Sequence, residues 1–392
     1  MFEKAIADRM TRLGTESAFQ ILAKAQALEA QGKSIIHMQI GQPDFKTPKN
    51  IIDAAHKAML DGYTGYGPTP GYPQARKAIA EYASRHKNID AKPEEVIIVP
   101  GGKPIMFFTM LAVINPGDEV VYPSPSFPIY ESTINFAEGV PVPYKLSAAN
   151  NFRLDINEFK SLITPKTKLV MLNSPGNPTG GVFTEEDILA IADVMRQYPD
   201  ILIFSDEIYD RIVFDGKAMS IASLPGFKDR TIILDGFSKT YSMTGWRLGY
   251  GIMHPDIAQH FEMLMVNSAS CTSSFSQMAG IEALTGPQDS VDAMCAAFRE
   301  RRDWLVKALN DIDGISCCMP QGAFYVFPDI SSFGLKSAEF ADRLMYEGGV
   351  AAAGGTAFGA YGEGYMRLSY ATSMENIKEA VSRIEKFVKT LK

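Results

Sequence analysis

Short apolar runs of one kind constrain this chain more than any other feature. Val96-Ile97-Ile98-Val99, Glu119-Val120-Val121-Tyr122, Leu169-Val170-Met171-Leu172, Ile201-Leu202-Ile203-Phe204 and Thr231-Ile232-Ile233-Leu234 are bounded by Pro, Gly, Asp or Asn. Runs this short and this rich in β-branched residues read as strands rather than helices. None alternates apolar with polar residues, as a strand with one wet face would. Each is therefore expected to be covered on both sides. Helical patterns lie between them, and Thr184-Glu185-Glu186-Asp187-Ile188 opens one with a capping threonine and an acidic first turn. That succession predicts the α/β class, with a largely parallel sheet between two layers of helices.

The pattern changes towards the C-terminus. Phe298 to Leu309 reads as an amphipathic helix with Arg299, Glu300, Arg301, Arg302 and Asp303 on its wet side. Ala323-Phe324-Tyr325-Val326-Phe327 and Tyr365-Met366-Arg367-Leu368-Ser369-Tyr370 read as strands, with a helix near Ser337 to Gly348 between them. A smaller α+β unit is expected there, and 392 residues suit two units better than one core.

Composition narrows the function classes. The formal charge of -7 argues against nucleic-acid binding, which needs a basic face. No run approaches the roughly 18 apolar residues of a membrane span. The opening Met1 to Arg9 mixes both charge signs and does not read as a signal peptide. Cys271, Cys295, Cys317 and Cys318 show no metal-ligand spacing and are expected to be reduced thiols, so a cytoplasmic protein without a metal site is expected.

Chemistry-bearing residues cluster where the strands end. In Ser238-Lys239-Thr240-Tyr241-Ser242-Met243-Thr244-Gly245-Trp246-Arg247, a lysine follows one strand and an arginine precedes the next run, Leu248 to Met253. Active sites of open α/β sheets gather at such ends. A lysine there can join an aldehyde cofactor, and an arginine can hold a phosphate by paired hydrogen bonds. Pro100-Gly101-Gly102-Lys103-Pro104 combines a tight turn with a helix start, whose free N–H groups suit an anion. Asn173-Ser174-Pro175-Gly176-Asn177-Pro178-Thr179-Gly180-Gly181 puts an amide after a strand, and Ser205-Asp206-Glu207-Ile208-Tyr209 puts an acid after another. An acid at that place can keep a pyridinium nitrogen protonated. Arg367 lies inside an apolar strand, which is costly unless the charge is paired, as by a substrate carboxylate. Taken singly, each has a plain alternative: a surface lysine, an ordinary turn, a helix cap, an internal ion pair.

Their order removes the ambiguity. Gly-Gly-Lys, Asn-Pro-Thr-Gly, Ser-Asp-Glu-Ile-Tyr, Ser-Lys before Gly-Trp-Arg, and a late strand arginine resemble the class I aminotransferases of the aspartate aminotransferase superfamily, fold type I pyridoxal-phosphate enzymes. The resemblance runs from about Arg12 to the C-terminus. It implies a mostly parallel seven-stranded sheet in a three-layer large domain over residues 46–287, a smaller domain from 14–45 and 288–392, and an N-terminal arm over 1–13. It implies pyridoxal 5'-phosphate as cofactor and a homodimer acting on an amino acid and a 2-oxo acid. By the same resemblance, Lys239 joins the cofactor and moves the α-proton. Asp206 pairs the ring nitrogen, and Asn177 and Tyr209 hold the phenolic oxygen. Arg247, Ser238, Gly102 and Lys103 hold the phosphate, and Phe127 stacks on the ring. Tyr66 reaches the partner's phosphate. Arg367, Gly41 and Asn177 face the substrate, with Lys103 available for a distal carboxylate unless Glu16 pairs it. A lyase, decarboxylase or oxidase on the same scaffold is the alternative.

The chain also departs from the family pattern. Gly236 replaces a hydroxyl residue three positions before the lysine, Gln42 a glutamate, and Pro104 a glutamine. Gly349-Val350-Ala351-Ala352-Ala353-Gly354-Gly355 lacks a proline and reads as a small-residue loop of raised mobility.

Overall fold

A computed structural model describes residues 5–14 and 16–391. In chain order its strands are β1 (Ile36–His37), β2 (Val96–Val99), β3 (Glu119–Ser124), β4 (Val140–Lys145), β5 (Thr167–Asn173), β6 (Leu202–Asp206), β7 (Thr231–Gly236), β8 (Gly249–Ile252), β9 (Tyr325–Val326), β10 (Val350–Ala351), β11 (Ala353–Gly354) and β12 (Met366–Ser369). Residues 1–4 of the expected arm lie outside the described residues.

The central sheet has seven strands in the order β2-β8-β7-β6-β5-β3-β4. From β7 to β4 every pairing is parallel, whereas β8 runs antiparallel to both β2 and β7. Every residue of β2, β7 and β8 is buried, Asp235 near the end of β7 included. One face packs Phe108, Phe204 and Phe261; the other packs Tyr144, Phe159 and Ile191 at one end and Tyr82, Phe237 and Tyr250 at the other. Each such side chain contributes about 1.5–3 kcal/mol of burial. Because β5, β6 and β7 are parallel and aligned, Asn173 opposite Asp206 and Asp206 opposite Leu234, their carboxyl ends open at one level.

β4 was not legible as a strand. Its sequence, Val-Pro-Val-Pro-Tyr-Lys, carries prolines that cannot donate to a ladder. It tolerates them because it pairs only with β3, at the sheet edge.

The later part of the chain forms a three-stranded antiparallel sheet, β11-β12-β9, with Arg367 opposite Ala353. The helices Asp289–Asn310 and Met374–Lys389 pack in the same core with Phe298, Phe324, Ile377 and Ile384. β1 pairs with β10, tying the chain's beginning to this unit. Two sequence expectations need correction here. Arg302 does not face water: it is buried, bonded to Asp215, Asp303 and the Pro320 carbonyl, with its guanidinium 4.7 Å from the Phe214 ring. The segment 349–355 is no loose loop, because β10 and β11 run through it and Ala351, Ala352 and Ala353 are buried. Its small residues are needed: a Cβ on Gly354 would meet the Ser337 carbonyl at 2.7 Å.

Candidate active site

A cavity of about 610 Å³ opens over the carboxyl ends of β5, β6 and β7. It is lined by Gly41, Gly102, Lys103, Phe127, Asn177, Asp206, Tyr209, Ser238, Lys239, Arg247 and Arg367. These come from sequence segments up to 326 positions apart (41 to 367) and from both sheets. Tyr66 is not among them; it is 92% exposed, on the surface of the same chain.

The floor is acidic. Asp206 ends β6 with its carboxylate buried, accepting from the Tyr130 hydroxyl at 2.6 Å and from the Ile208 N–H at 3.2 Å. Burial pushes its pKa up to about 6, against the pull of those hydrogen bonds. Lys239 stands in the turn after β7, its Nζ donating to the Gly41 carbonyl at 2.5 Å. Burial lowers its pKa to about 8, with the positive charges of Arg367, Lys103 and Arg247 adding and Glu16 opposing. At pH 7 about one amine in ten is then neutral, against about one in three thousand for an ordinary lysine.

One end of the cavity is built for an anion. Gly101 takes a φ of +82° and Gly102 caps the helix Lys103–Val113, with Pro104 in its first turn. The Arg247 guanidinium lies so close to Gly101 that a Cβ there would overlap it. Arg247 Nη1 donates to the Thr244 carbonyl at 2.7 Å. Helix N–H groups, a guanidinium and Ser238 thus line the same cavity, and together they are a donor set that could hold a phosphate. Gly236 has a steric reason: its Cβ would lie 3.0 Å from the Gly249 Cα of β8, so a side chain there would push the strands apart.

Another part of the lining could hold a carboxylate. Arg367, on β12, is 3% exposed and lies between the Tyr325 and Phe358 rings, 4.6 and 4.7 Å from their centroids. Its Nη1 donates to Asn177 Oδ1 at 2.9 Å and its Nη2 to the Gln39 carbonyl, while Nε is buried without a partner. No carboxylate of the chain pairs it among the described residues. Gly41 leaves room for the Tyr325 hydroxyl, which hydrogen-bonds that of Tyr209 at 2.8 Å. On the side wall, Lys103 Nζ donates to Glu16 Oε2 at 2.6 Å and lies 5.4 Å from the Phe127 ring centroid.

Tyr130, Tyr325 and Gln39 were not singled out from the sequence. Tyr130 follows Phe127 by one helical turn, and Tyr325 lies in a run read only as a strand. Their partners come from distant segments, so nothing local marks them.

The described residues suit pyridoxal phosphate on these structural grounds: a crowded glycine turn under an arginine, a buried acid, a depressed lysine and an orphaned guanidinium N–H. The profile of the family described as "Aminotransferase class I and II" matches residues 33–384. The chain is 40% identical to an aspartate aminotransferase of Bacillus sp. (strain YM-2), over 99% of this chain and 100% of the relative. It is 38% identical to aromatic-amino-acid aminotransferase 2 of Thermococcus litoralis, over 99% of each. The structure of Thermus thermophilus aspartate aminotransferase with maleate superposes with a TM-score of 0.93 at 34% identity, covering 97% of this chain and 99% of that one. Matched over almost its whole length by sequence and by fold, the chain belongs to the class I and II aminotransferases.

Proposed function

We propose that the chain moves an amino group from an L-amino acid to a 2-oxo acid such as 2-oxoglutarate, using pyridoxal 5'-phosphate. One observation carries this reading: Lys239 and Asp206 face a single cavity that also holds an anion cradle and an arginine with no carboxylate partner among the described residues. When bound, the cofactor supplies a protonated pyridine that draws electrons from the substrate's α-carbon. Asp206 would keep that ring nitrogen protonated, and Tyr130 orients the acid. Asn177 and Tyr209 would donate to the phenolic oxygen. Arg247, Ser238 and the backbone amides of Gly102 and Lys103 would hold the phosphate, and Phe127 would cover the ring. Lys239 would hold the cofactor's aldehyde carbon and, once released by substrate, take the α-proton and return it one atom away. Arg367, with Gly41 and Asn177 beside it, would grip the substrate carboxylate.

The domain division at 46–287 and 14–45 with 288–392 accompanies this reading. So does a homodimer, with Tyr66 turned outward to serve a partner's phosphate. Free thiols at all four cysteines suit the cytoplasm, and no helix among the described residues is long and apolar enough to cross a membrane. The named relatives are aminotransferases, which does not favour a lyase, decarboxylase or oxidase.

Aspartate and aromatic donors both fit the side wall. The Lys103–Glu16 pair is half-exposed on the lysine side and contributes about 1 kcal/mol or less. A substrate carboxylate bonded to Lys103 is worth about 1.5–3 kcal/mol and displaces Glu16. A neutral or aromatic donor leaves the pair intact beside Phe127. The test is a single-turnover half-reaction with the loaded enzyme and a panel of amino acids. The bound cofactor should convert to its amine form with one 2-oxo acid released per site. Release of carbon dioxide or ammonia with the aldehyde form retained would overturn the reading.

A further inference from the structure

Beneath the strand ends lies a second set of buried charges, and none of its members lines the cavity. Lys87 is the last residue of the helix Pro73–Lys87 and is 6% exposed. Its ammonium is 3.0 Å from Glu207 Oε2 and 2.9 Å from Asp235 Oδ2, and it donates to Asp210 Oδ2. The three carboxylates are themselves buried. Glu207 also accepts from the Ser205 hydroxyl at 2.8 Å and the Ser220 hydroxyl at 2.6 Å. Asp235 accepts from the Tyr250 hydroxyl at 3.0 Å and the Gly236 N–H at 2.6 Å.

Such a cluster is a poor device for stability. Buried ions lose their hydration, and apolar residues of similar volume often serve as well or better. Here one ammonium faces three acids, with the His86 ring 4.0 Å from Asp210 at the edge of the cluster. Burial works against the charge of Lys87, but Asp210, Asp235 and Glu207 outweigh it and hold its pKa well above the usual range. Asp235 is pushed up by burial and by Asp210, against the pull of Lys87.

What distinguishes the cluster is where its acids lie in the chain. Glu207 follows Asp206, Asp210 follows Tyr209, and Asp235 lies near the end of β7, just before the turn that carries Lys239. We propose that Lys87 is a positioning residue: one buried ammonium fastens the end of β6, the turn after it and the end of β7, and so fixes Asp206, Tyr209 and Lys239 relative to one another. The proposal rests on the roles assigned to those three residues under Proposed function.

The test compares loaded wild type with Asp210→Asn, Lys87→Met and Lys239→Ala. Asp210→Asn removes one fastening but leaves Lys87 two carboxylates and a smaller excess of buried negative charge. Its Tm should equal or exceed that of wild type. Its kcat should nevertheless fall roughly 10- to 100-fold, the scale of a misplacement near 1 Å. KM should move by less than about threefold, and the visible circular dichroism of the bound cofactor should change. Lys87→Met should lose more kcat; if it does not fold, Asp210→Asn decides. Wild-type kcat and dichroism in Asp210→Asn would overturn the proposal, as would losses that merely follow the folded fraction. An inactive Lys239→Ala beside a fully active Asp210→Asn would sink this inference alone. A fully active Lys239→Ala would sink the functional reading beneath it.

Discussion

Asp206 shows how a functional group works against the fold that holds it. Its folded pKa of about 6 lies above the unfolded value of 3.8, so the folded chain binds the proton more tightly between those values. The buried charge therefore costs stability above about pH 6 and nothing below about pH 4. In the cofactor-free chain, Asp206→Asn should raise stability by about 1–3 kcal/mol at pH 7.5, and the gain should vanish below about pH 4. Denaturant melts at the two pH values check this. The same substitution in the loaded enzyme should cut turnover severely, because the ring nitrogen loses its acid. Lys103 is the proposed counterpart for selectivity. Lys103→Ala should lower kcat/KM for aspartate by roughly 10- to 150-fold, the worth of one charge-assisted bond. Phenylalanine should change far less. An equal fall for both donors would mean that Lys103 serves the phosphate instead.

At the scale of elements, the Gly101-Gly102 turn is the part most open to a sharp test. A methyl group on Gly101 has neither the backbone conformation nor the space, since φ is +82° and Arg247 fills the position. Gly101→Ala should displace the guanidinium and weaken pyridoxal phosphate binding by roughly 10- to 150-fold, the loss of one charged hydrogen bond. Binding of pyridoxal, which lacks the phosphate, should be nearly unchanged; fluorescence titration separates the two. This turn was legible in the sequence because glycines, a lysine and a first-turn proline each carry a local meaning. β2, β3 and β5 to β8 were legible for a similar reason: short, largely apolar runs between turn residues have few other uses. β4 was hidden by its prolines, and the burial of Arg302 by its charge. Tyr130 and Tyr325 were hidden differently. Each acts through a contact with a residue far away in the chain, and that contact exists only once strand order and register are fixed.

The whole molecule leaves apolar surface that a lone chain would not need to expose. Ile52, Met59 and Leu60 on the helix Lys49–Leu60, and Met263 and Val266 on the helix Pro255–Ser268, are exposed, as is Tyr66. The proposed homodimer should therefore appear as twice the chain mass in sedimentation. Mixed Tyr66→Phe and Lys239→Ala chains should form hybrids with one intact site. If Tyr66 serves its own subunit instead, both sites of a hybrid would be defective or unchanged from their parents, which counting active sites in purified hybrids would reveal. The site itself is divided among parts of the chain. Lys239 and Asp206 depend on the seven-stranded sheet, and Arg367 on the three-stranded one. Glu16 and Phe19, at the start of the helix Ser17–Glu29, belong to neither sheet yet line the cavity. A change at Phe19 can alter which side chain is welcome and leave Lys239 untouched, whereas a change at Glu16 also removes a charge that raises the Lys239 pKa. Donor preference and proton transfer are thus separable at Phe19 and coupled at Glu16.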